Sequence, residues 1–303
     1  MLCVAGTIPE DNFPLVEGEV KLSGDQLRIG ISTIAVNRGT AALLAAAVTA
    51  AAVLRQPAPF AYLVGDTGTG KGSERLYRNM TNVLTRASFQ TITLHYIQPI
   101  IQWHKSLHAV IGTLIPRPRL IADAGSMYAA KMSGEASLYD LFTPDVGELA
   151  FLADEEAPHP FYTRGFILHE ENRVPDLIAR AYKHRNAARY LLVKGEKDYL
   201  ANESGIIEMV NTPVEEALEA IGGTGDTLTG LVSVLIDAGM NMQEAAVAAM
   251  RTNRLAGRYA QPTPATQIGE IIRFIPQAIQ EVLGERCKVN TDGDTSTACQ
   301  KQE

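Results

Sequence analysis

Short apolar runs rich in β-branched and aromatic residues alternate along most of the chain with longer segments of helical periodicity. The strand candidates are residues 60–64, 91–96, 120–122, 138–142, 190–193 and 199–201. The helix candidates are residues 73–85, 103–113, 146–153, 174–185, 227–238, 242–259 and 268–283. This alternation predicts an α/β fold with a mostly parallel central sheet that is covered by helices on both faces. Ligands of such sheets bind beyond the carboxyl ends of the strands.

The two ends of the chain lack this pattern. The first thirty residues are irregular and are interpreted as an arm or a short hairpin, and the polar residues 284–303 predict a disordered tail. Residues 39–54 form an alanine-rich apolar segment that is short for a membrane span, so a buried helix is predicted there. We therefore assign residues 1–58 to an arm and a helix of the same domain, and residues 59–283 to its core.

Composition limits the classes of partner and the compartment. Hydrophobic residues make up 46% of the 303 residues, which is typical of a globular protein with a substantial core. A net charge of -7 argues against nucleic acid or an anionic membrane as the main partner. Cys3, Cys287 and Cys299 form no Cys-x-x-Cys pair, and no basic, apolar leader is visible, so a cytoplasmic protein in a reducing compartment is expected.

The most informative segment is residues 222–230, Gly-Gly-Thr-Gly-Asp-Thr-Leu-Thr-Gly. Glycines before a helix leave backbone N–H groups accessible, and the helix dipole adds positive charge, so this segment is typical of an anion site. A carboxylate repels phosphate, and Asp226 therefore needs another role there. It could take a proton from a hydroxyl that attacks a phosphoryl group, or it could simply cap the helix.

A second glycine loop, residues 65–73, lies between a predicted strand and a predicted helix. It satisfies Gly-x4-Gly-Lys, but Gly72 stands where a Walker A loop carries the hydroxyl that binds Mg²⁺, and Ser73 comes one residue late. The missing hydroxyl disfavours a P-loop. A tight turn with a solvated Lys71 and a non-Walker ligand loop at a helix N-terminus stay open.

Several polar residues at predicted strand and helix ends are weaker candidates. Asp145 and Glu148 have the spacing of a capping box, and the same carboxylates could organise the water ligands of Mg²⁺. Lys194 follows a predicted strand and could reach a phosphate as a point charge.

Two helical spacings are also notable. His104 and His108 have the i, i+4 spacing of a metal pair, but no third ligand is evident, so no metal site is predicted. Arg251, Asn253 and Arg254 could flank a nucleotide, although arginines on an Ala-rich helix are more often its solvent face.

The order of these motifs resembles that of the ribokinase-like superfamily. Within it, residues 59–283 are most similar to the ADP/ATP-dependent NAD(P)H-hydrate dehydratases, the carbohydrate-kinase-related branch. Residues 223–230 match the family's Gly-Thr-Gly-Asp-x-Leu-x-Gly in full. Residues 143–148 resemble its Thr-Pro-His-x-Gly-Glu, and residues 194–198 resemble its Lys-Gly-x-x-Thr.

The resemblance implies a ribokinase-like catalytic core that binds ATP or ADP with Mg²⁺ and in which Asp226 meets a substrate hydroxyl. Phosphorylation of that hydroxyl makes it a leaving group, and elimination restores the dihydronicotinamide. The implied nucleotide-binding residues are Lys194, Gly195, Glu196, Lys197, Asp198, Gly222, Gly223, Thr224, Gly225 and Asn253. The implied substrate-binding residues are Gly70, Lys71, Gly72, Ser73, Asp123 and Asp145. Glu148 and Asp145 would hold the metal through water.

Departures from the family pattern concentrate on the substrate side. Asp145 replaces a histidine, Lys71 adds a charge, and residues 122–127 lack the second acid and the asparagine of the family segment. We therefore expect adenine-nucleotide-dependent phosphoryl transfer to a hydroxyl, most like NAD(P)H-hydrate dehydration. The alternatives are a small-molecule kinase and a non-catalytic nucleotide-binding protein. The expected partners are a small-molecule substrate and an adenine nucleotide, with a homo-oligomer left open.

Overall fold

A computed structural model describes residues 1–160, 163 and 173–293. Its strands are β1 (Leu2–Ile8), β2 (Val16–Glu19), β3 (Lys21–Ser23), β4 (Gln26–Ile29), β5 (Ser32–Ala35), β6 (Phe60–Gly65), β7 (Thr91–His95), β8 (Arg119–Asp123), β9 (Leu141–Phe142), β10 (Tyr190–Val193), β11 (Asp198–Asn202) and β12 (Gly205–Val210). Its helices are α1 (Thr40–Val53), α2 (Lys71–Val83), α3 (Ile101–Gly112), α4 (Gly125–Ser133), α5 (Val146–Ala153), α6 (Val174–Lys183), α7 (Thr224–Asp237), α8 (Met242–Ala260), α9 (Ile268–Ile272) and α10 (Ile275–Gly293).

The central sheet has the strand order β12-β11-β10-β9-β8-β7-β1-β6-β2. The strands from β10 to β6 are parallel, whereas β2, β11 and β12 pair antiparallel at the edges. A second, antiparallel sheet contains β3, β4 and β5. The predicted α/β class with a mostly parallel sheet is confirmed.

Side chains on alternate positions of each strand enter different halves of the core. In β1, Leu2 and Val4 pack with α1, α7 and α8, whereas Cys3 and Ala5 pack with α2 and α3 on the opposite face. Because helices cover both faces, every residue of the inner strands β1 and β7 is buried, whichever face its side chain points to. The helices cover the two faces of the sheet, and the loops that follow the carboxyl ends of the parallel strands remain exposed.

The interpretation of the N-terminal residues as an arm or hairpin is wrong for residues 2–8. All seven residues of β1 are buried, and β1 lies inside the sheet between β6 and β7. A strand covered on both faces has no apolar–polar alternation, so its sequence lacks the usual signal. A short hairpin does follow, formed by β3 and β4, and β2 and β5 are further strands that the sequence did not predict.

Most predicted elements are present, with some changed bounds. The predicted strand 138–142 is reduced to β9, and the predicted helix 268–283 is divided into α9 and α10. Helix α4 and strand β12 were not predicted. The tail prediction is wrong for residues 284–293, which continue α10, because extending an anchored helix costs less than starting one. Residues 294–303 lie outside the described part.

The alanine-rich helix α1 is buried as predicted, with Leu43 and Leu44 fully covered. It packs along α7, whose first turn contains Asp226. Among the residues that the structure describes, no helix combines the length and apolar character that crossing a bilayer requires.

Candidate active site

Polar side chains meet at the carboxyl edge of the parallel sheet. Strand β7 ends at His95, β8 ends at Asp123, and Lys194 directly follows β10. Asp226, in the first turn of α7, lies at the same edge. His95 Nε2 is 3.1 Å from Asp226 Oδ1 and 3.7 Å from Asp123 Oδ2. These four side chains form the central cluster.

Asp226 is the third residue of α7 and faces away from the N–H groups of its own helix. Its Oδ2 accepts a hydrogen bond of 2.7 Å from the Gly39 N–H, and its Oδ1 faces His95. The N-cap of α7 is Gly223, without a side-chain cap. The alternative of Asp226 as a simple helix cap is therefore excluded by the geometry.

The carboxyl of Asp226 is held in its ionised form. Burial acts to raise its pKa, but the hydrogen bond from His95, the positive charges of His95 and Lys194, and the Gly39 N–H outweigh burial and lower the pKa below its usual range. Only 9% of the residue is exposed, so the carboxyl group is largely shielded from solvent.

Lys194 and Asp123 form a buried ion pair beside Asp226. The Lys194 ammonium donates to both Asp123 carboxylate oxygens, at 2.9 and 2.8 Å. Burial acts to lower the pKa of Lys194, but the charges of Asp123, Glu148 and Asp226 outweigh it and raise the pKa. The Lys194 chain also lies against Gly225, where an added Cβ would be 3.6 Å from Nζ. Lys194 thus adjoins the α7 glycine segment with its charge already paired.

The loop 195–198 is clamped by Arg254 of α8. Arg254 Nη2 donates to the carbonyls of Gly195 and Glu196 at 3.0 and 2.8 Å, and Nε donates to Asp198 at 2.7 Å. Asp198 also accepts from the Gly195 N–H. The solvent-face interpretation is wrong for Arg254, which is buried, whereas Arg251 is exposed. Glu196 and Lys197 remain exposed at the tip of the loop.

Asn253 ties α8 to the first turn of α7. Its Oδ1 accepts from the Thr227 hydroxyl at 2.7 Å, and its Nδ2 donates to the Thr224 carbonyl at 3.0 Å. The Asn253 side chain therefore holds the first turn of α7, which follows the glycine segment, against α8. Gly222 is exposed, and Gly223, Thr224 and Gly225 are half-buried.

The loop 65–73 binds a carboxylate of this same chain. Asp66 accepts hydrogen bonds from the N–H groups of Gly68, Gly70 and Ser73 and from the Ser73 hydroxyl. These bonds add to the argument against a P-loop, because the amides that would cradle a phosphate are already bonded to Asp66.

The substrate-binding residues expected in this loop differ in accessibility. The Ser73 hydroxyl is fully buried and also accepts from the Gln98 N–H, so it is committed to the fold. Gly72 allows the backbone of α2 to lie close to the end of β6, since an added Cβ at this position would be 2.0 Å from the Gly65 carbonyl oxygen. Lys71 is exposed and Gly70 half-buried, and these two remain accessible to a ligand.

Asp145 and Glu148 form the predicted capping box of α5. Asp145 Oδ1 accepts from the Glu148 N–H at 2.7 Å, and Glu148 Oε2 accepts from the Asp145 N–H at 2.9 Å. Burial, together with the negative charges of Asp123 and Asp145, raises the pKa of Glu148 to about 8, although Lys194 opposes the shift. A divalent cation would favour the ionised form, so this pair suits Mg²⁺ held through water.

Within the described residues, three potential metal ligands also meet away from this edge, at His104, His108 and Glu135. The expectation of no third ligand is thus wrong. His104 Nδ1 lies 3.0 Å from Glu135 Oε2 and 3.2 Å from the Ser133 hydroxyl oxygen, while His104 Nε2 lies 2.9 Å from the Tyr139 hydroxyl. Both nitrogens of His104 are engaged, which favours a buried hydrogen-bond network over a metal site.

Two residues that contribute to the central cluster, His95 and Gly39, were not predicted from the sequence. His95 is a single histidine at the end of a predicted strand, and only its place at the carboxyl edge could have singled it out. Gly39 lies just before α1, and only the fold brings its N–H to Asp226.

This sheet order and a carboxylate in the first turn of a helix beyond the carboxyl edge define a ribokinase-like α/β protein. A ribokinase-like superfamily protein from Enterococcus faecalis has the same fold, with a TM-score of 0.57 at 14% identity over 93% of this chain and 86% of that one. Residues 101–277 match the family model described as NAD(P)H-hydrate dehydratase, and the chain belongs to that family.

Three further proteins are similar to this chain. An uncharacterized protein of Methanocaldococcus jannaschii is 44% identical over 220 residues, which cover 72% of this chain and 90% of that protein. The ADP/ATP-dependent NAD(P)H-hydrate dehydratase of Bacillus subtilis, co-crystallized with ATP and Mg²⁺, has a TM-score of 0.54 at 13% identity over 93% of this chain and 89% of that one. A bifunctional NAD(P)H-hydrate repair enzyme of Pyrobaculum aerophilum is 27% identical over 60% of this chain, which spans 33% of that protein.

Proposed function

We propose that the protein catalyses the ADP- or ATP-dependent dehydration of NAD(P)H hydrate, with Asp226 as the general base. The observation that carries the proposal is the place of the Asp226 carboxylate, which is held between the Gly39 N–H and His95 in the first turn of α7, beside the accessible residues 222–225. A carboxylate next to an anion-binding segment repels phosphate, but it can accept the proton of a hydroxyl that attacks there.

The nucleotide side of the proposal rests on two supported loops. The N–H groups of residues 222–225 lie at the N-terminus of α7, where the helix dipole favours phosphate. The loop 195–198, clamped by Arg254, lies beside this segment because Lys194 contacts Gly225. The nucleotide supplies the phosphoryl group that makes the hydroxyl a leaving group, and Mg²⁺ neutralises phosphate charge. Asp145 and Glu148 would hold the metal through water.

The chain's own residues would act on the proton of the attacking hydroxyl. Asp226 takes that proton as the hydroxyl oxygen bonds to the terminal phosphorus of the nucleotide, while the bond from that phosphorus to its bridging oxygen breaks and the shortened nucleotide leaves. The ion pair of Lys194 with Asp123 keeps a second carboxylate from competing for the proton. The later elimination releases phosphate and a proton from the substrate ring, so water is removed overall.

The direct experiment mixes the protein with NADH hydrate, Mg²⁺ and either ATP or ADP, and follows the return of NADH absorbance. We expect recovery with one of the nucleotides and none without. Binding of nucleotide without recovery under either condition contradicts the dehydratase proposal.

A small-molecule kinase is the second candidate. The exposed Asp145 stands where the family has a histidine, and an anion there disfavours a phosphate-bearing substrate. In that case ATP would be consumed with a different hydroxyl compound, whose phosphate ester accumulates. A non-catalytic nucleotide binder is less well supported, because a binder gains nothing from an ionised Asp226 beside the phosphates.

A further inference from the structure

His95 connects the proposed base to the interior of the protein. The ring is fully buried at the end of β7, with Nε2 3.1 Å from Asp226 Oδ1 and Nδ1 2.9 Å from the Thr40 hydroxyl oxygen. Asp123 Oδ2 lies 3.7 Å from the same Nε2. Each ring nitrogen therefore has a defined partner.

The hydrogen bonds decide which ring nitrogens carry protons. Thr40 has one hydroxyl proton and donates it to the Thr7 carbonyl at 2.8 Å, so its oxygen can only accept from His95. Nδ1 must then carry a proton. On the other side Nε2 faces Asp226 and Asp123, and ionised carboxylates are acceptors only, so Nε2 must carry a proton as well.

The packing around the ring makes this arrangement rigid. The Thr7 hydroxyl donates to the Tyr96 carbonyl, and the Tyr96 ring lies edge-on, 4.4 Å from the His95 ring. Gly6 leaves the space that the arrangement needs, since an added Cβ would lie 2.7 Å from both the His95 carbonyl oxygen and the Thr40 methyl group. Neighbours on β1, β7 and α1 thus fix the ring.

The charges facing the ring also balance. Asp226 approaches from α7 and Asp123 from β8, and both are acidic. Lys194, after β10, pairs with Asp123. A cationic His95 would leave two carboxylates opposed by two cations, which is the condition under which buried charges are tolerated.

We infer that His95 is a positioning residue whose doubly protonated ring holds Asp226 as an ionised carboxylate in one orientation. With Oδ1 bonded to His95 and Oδ2 to the Gly39 N–H, the carboxyl group is fixed from two separate elements. A neutral His95 ring carries only one N–H, so it would lose one of its two hydrogen bonds. With the proton on Nδ1, the Nε2 lone pair would face the Asp226 carboxylate, and that carboxylate would no longer be held in place. The kinetic part of this inference rests on the proposed function, whereas the protonation part stands on the hydrogen bonds alone.

The protonation is tested by NMR on protein with ¹⁵N-labelled histidine. Long-range ¹H–¹⁵N spectra distinguish a ring with two protons from either neutral tautomer, and His95→Gln assigns the signal. We expect two protons on His95 at pH 8 in the wild-type protein and one in Asp226→Asn. A neutral ring in the wild type overturns the inference.

The positioning role is tested with two isosteric variants. His95→Gln keeps a donor near Nε2, and His95→Asn keeps one near Nδ1. We expect His95→Asn to lower kcat roughly 10²-fold with an unchanged nucleotide KM, since a misplaced catalytic group lowers the rate by about that factor. His95→Gln should lower kcat less, because it keeps the donor to Asp226. Equal kcat in folded wild type and both variants overturns the role. Thr40→Ser, which keeps the acceptor, should behave as wild type. If the wild type lacks dehydratase activity, the proposed function fails while the NMR result still decides the protonation.

Discussion

The Asp66 carboxylate accepts two hydrogen bonds from Ser73, one from its backbone N–H and one from its hydroxyl, and each is 2.8 Å long. The N–H groups of Gly68 and Gly70 bond to the other carboxylate oxygen. The N–H groups at the N-terminus of α2 therefore already bind an anion, which is the Asp66 carboxylate of the same chain. A phosphate placed there would have to displace Asp66.

The first prediction concerns where nucleotide binds. In crystals with ATP or ADP and Mg²⁺, we expect the phosphates to contact the N–H groups of residues 222–225. Electron density decides this directly. Phosphates bonded to Gly68, Gly70 and Lys71 would contradict it, and Asp66 would then have moved away.

The second prediction concerns the stability of the loop that Asp66 organises. Asp66→Asn should lower the free energy of unfolding by about 2 kcal/mol at pH 7, because bonds from several donors to a carboxylate are weakened. Burial acts to raise the Asp66 pKa, but the bonds from Ser73, Gly70 and Gly68 outweigh it and lower the pKa. The contribution of a carboxyl with a lowered pKa is present above its ordinary value near 3.8 and is lost as the pH falls through the native value.

Denaturant unfolding of the wild type and of Asp66→Asn, at pH 7 and at pH 3, measures how much unfolding free energy the carboxylate contributes at each pH. Asp25→Asn is the matched control, since its ion pair with Arg273 is exposed and should contribute under about 0.5 kcal/mol. A loss that is equal in the two variants contradicts the role of Asp66.

The third prediction concerns the proposed base. Asp226→Asn removes the proton acceptor but keeps the shape of the side chain, so turnover should fall by ~10²–10⁴-fold. Nucleotide binding, measured by calorimetry, should persist. Near-normal turnover in this variant excludes Asp226 as the base.

The fourth prediction concerns the arginine that clamps the loop after β10. Arg254→Lys loses the planar group that reaches two carbonyls and Asp198 together, so unfolding free energy should fall by about 1–3 kcal/mol and nucleotide affinity should weaken. Arg251→Lys on the exposed face of the same helix should change stability by less than about 0.5 kcal/mol. Indistinguishable melting and affinity in the two variants would refute the clamp.

The fifth prediction concerns the pH dependence set by Glu148. Its pKa is raised from about 4.5 to about 8, mainly by burial, so the native state holds an extra proton between these values and this group lowers stability as the pH rises. Glu148→Gln keeps the acceptor for the Asp145 N–H but cannot ionise. Its stability relative to wild type should therefore increase from pH 4.5 to pH 8 in metal-free buffer. A difference that does not vary with pH argues against the raised pKa.

The sequence predicted the elements whose apolar period or flanking motif is local, and it missed those that depend on the fold. Helix α5, with its capping box at Asp145, was predicted at its observed bounds. Strand β1 was missed because it is buried on both faces. Asp226 could be identified from its glycine motif, whereas His95 has no motif and acquires its place only when β7 meets α7.

The same distinction applies to side chains that satisfy the protein itself. Sequence spacing does not reveal that Asp66 pairs with the amides of its own loop, or that the Asn253 amide is bonded to the Thr224 carbonyl. The buried position of Arg254 likewise depends on its bond to the Glu196 carbonyl, 58 residues earlier in the chain, which no helical period encodes.

The position of β1 inside the sheet also sets an order of events during synthesis. Its two neighbours, β6 and β7, leave the ribosome only after residues 60–65 and 91–95 are made. Until then an apolar strand has both of its hydrogen-bonding edges exposed, a condition that favours association with other chains. Because β6 is made before β7, β1 can gain a partner on one edge first, and its second edge lacks its native partner until residue 95 has been made.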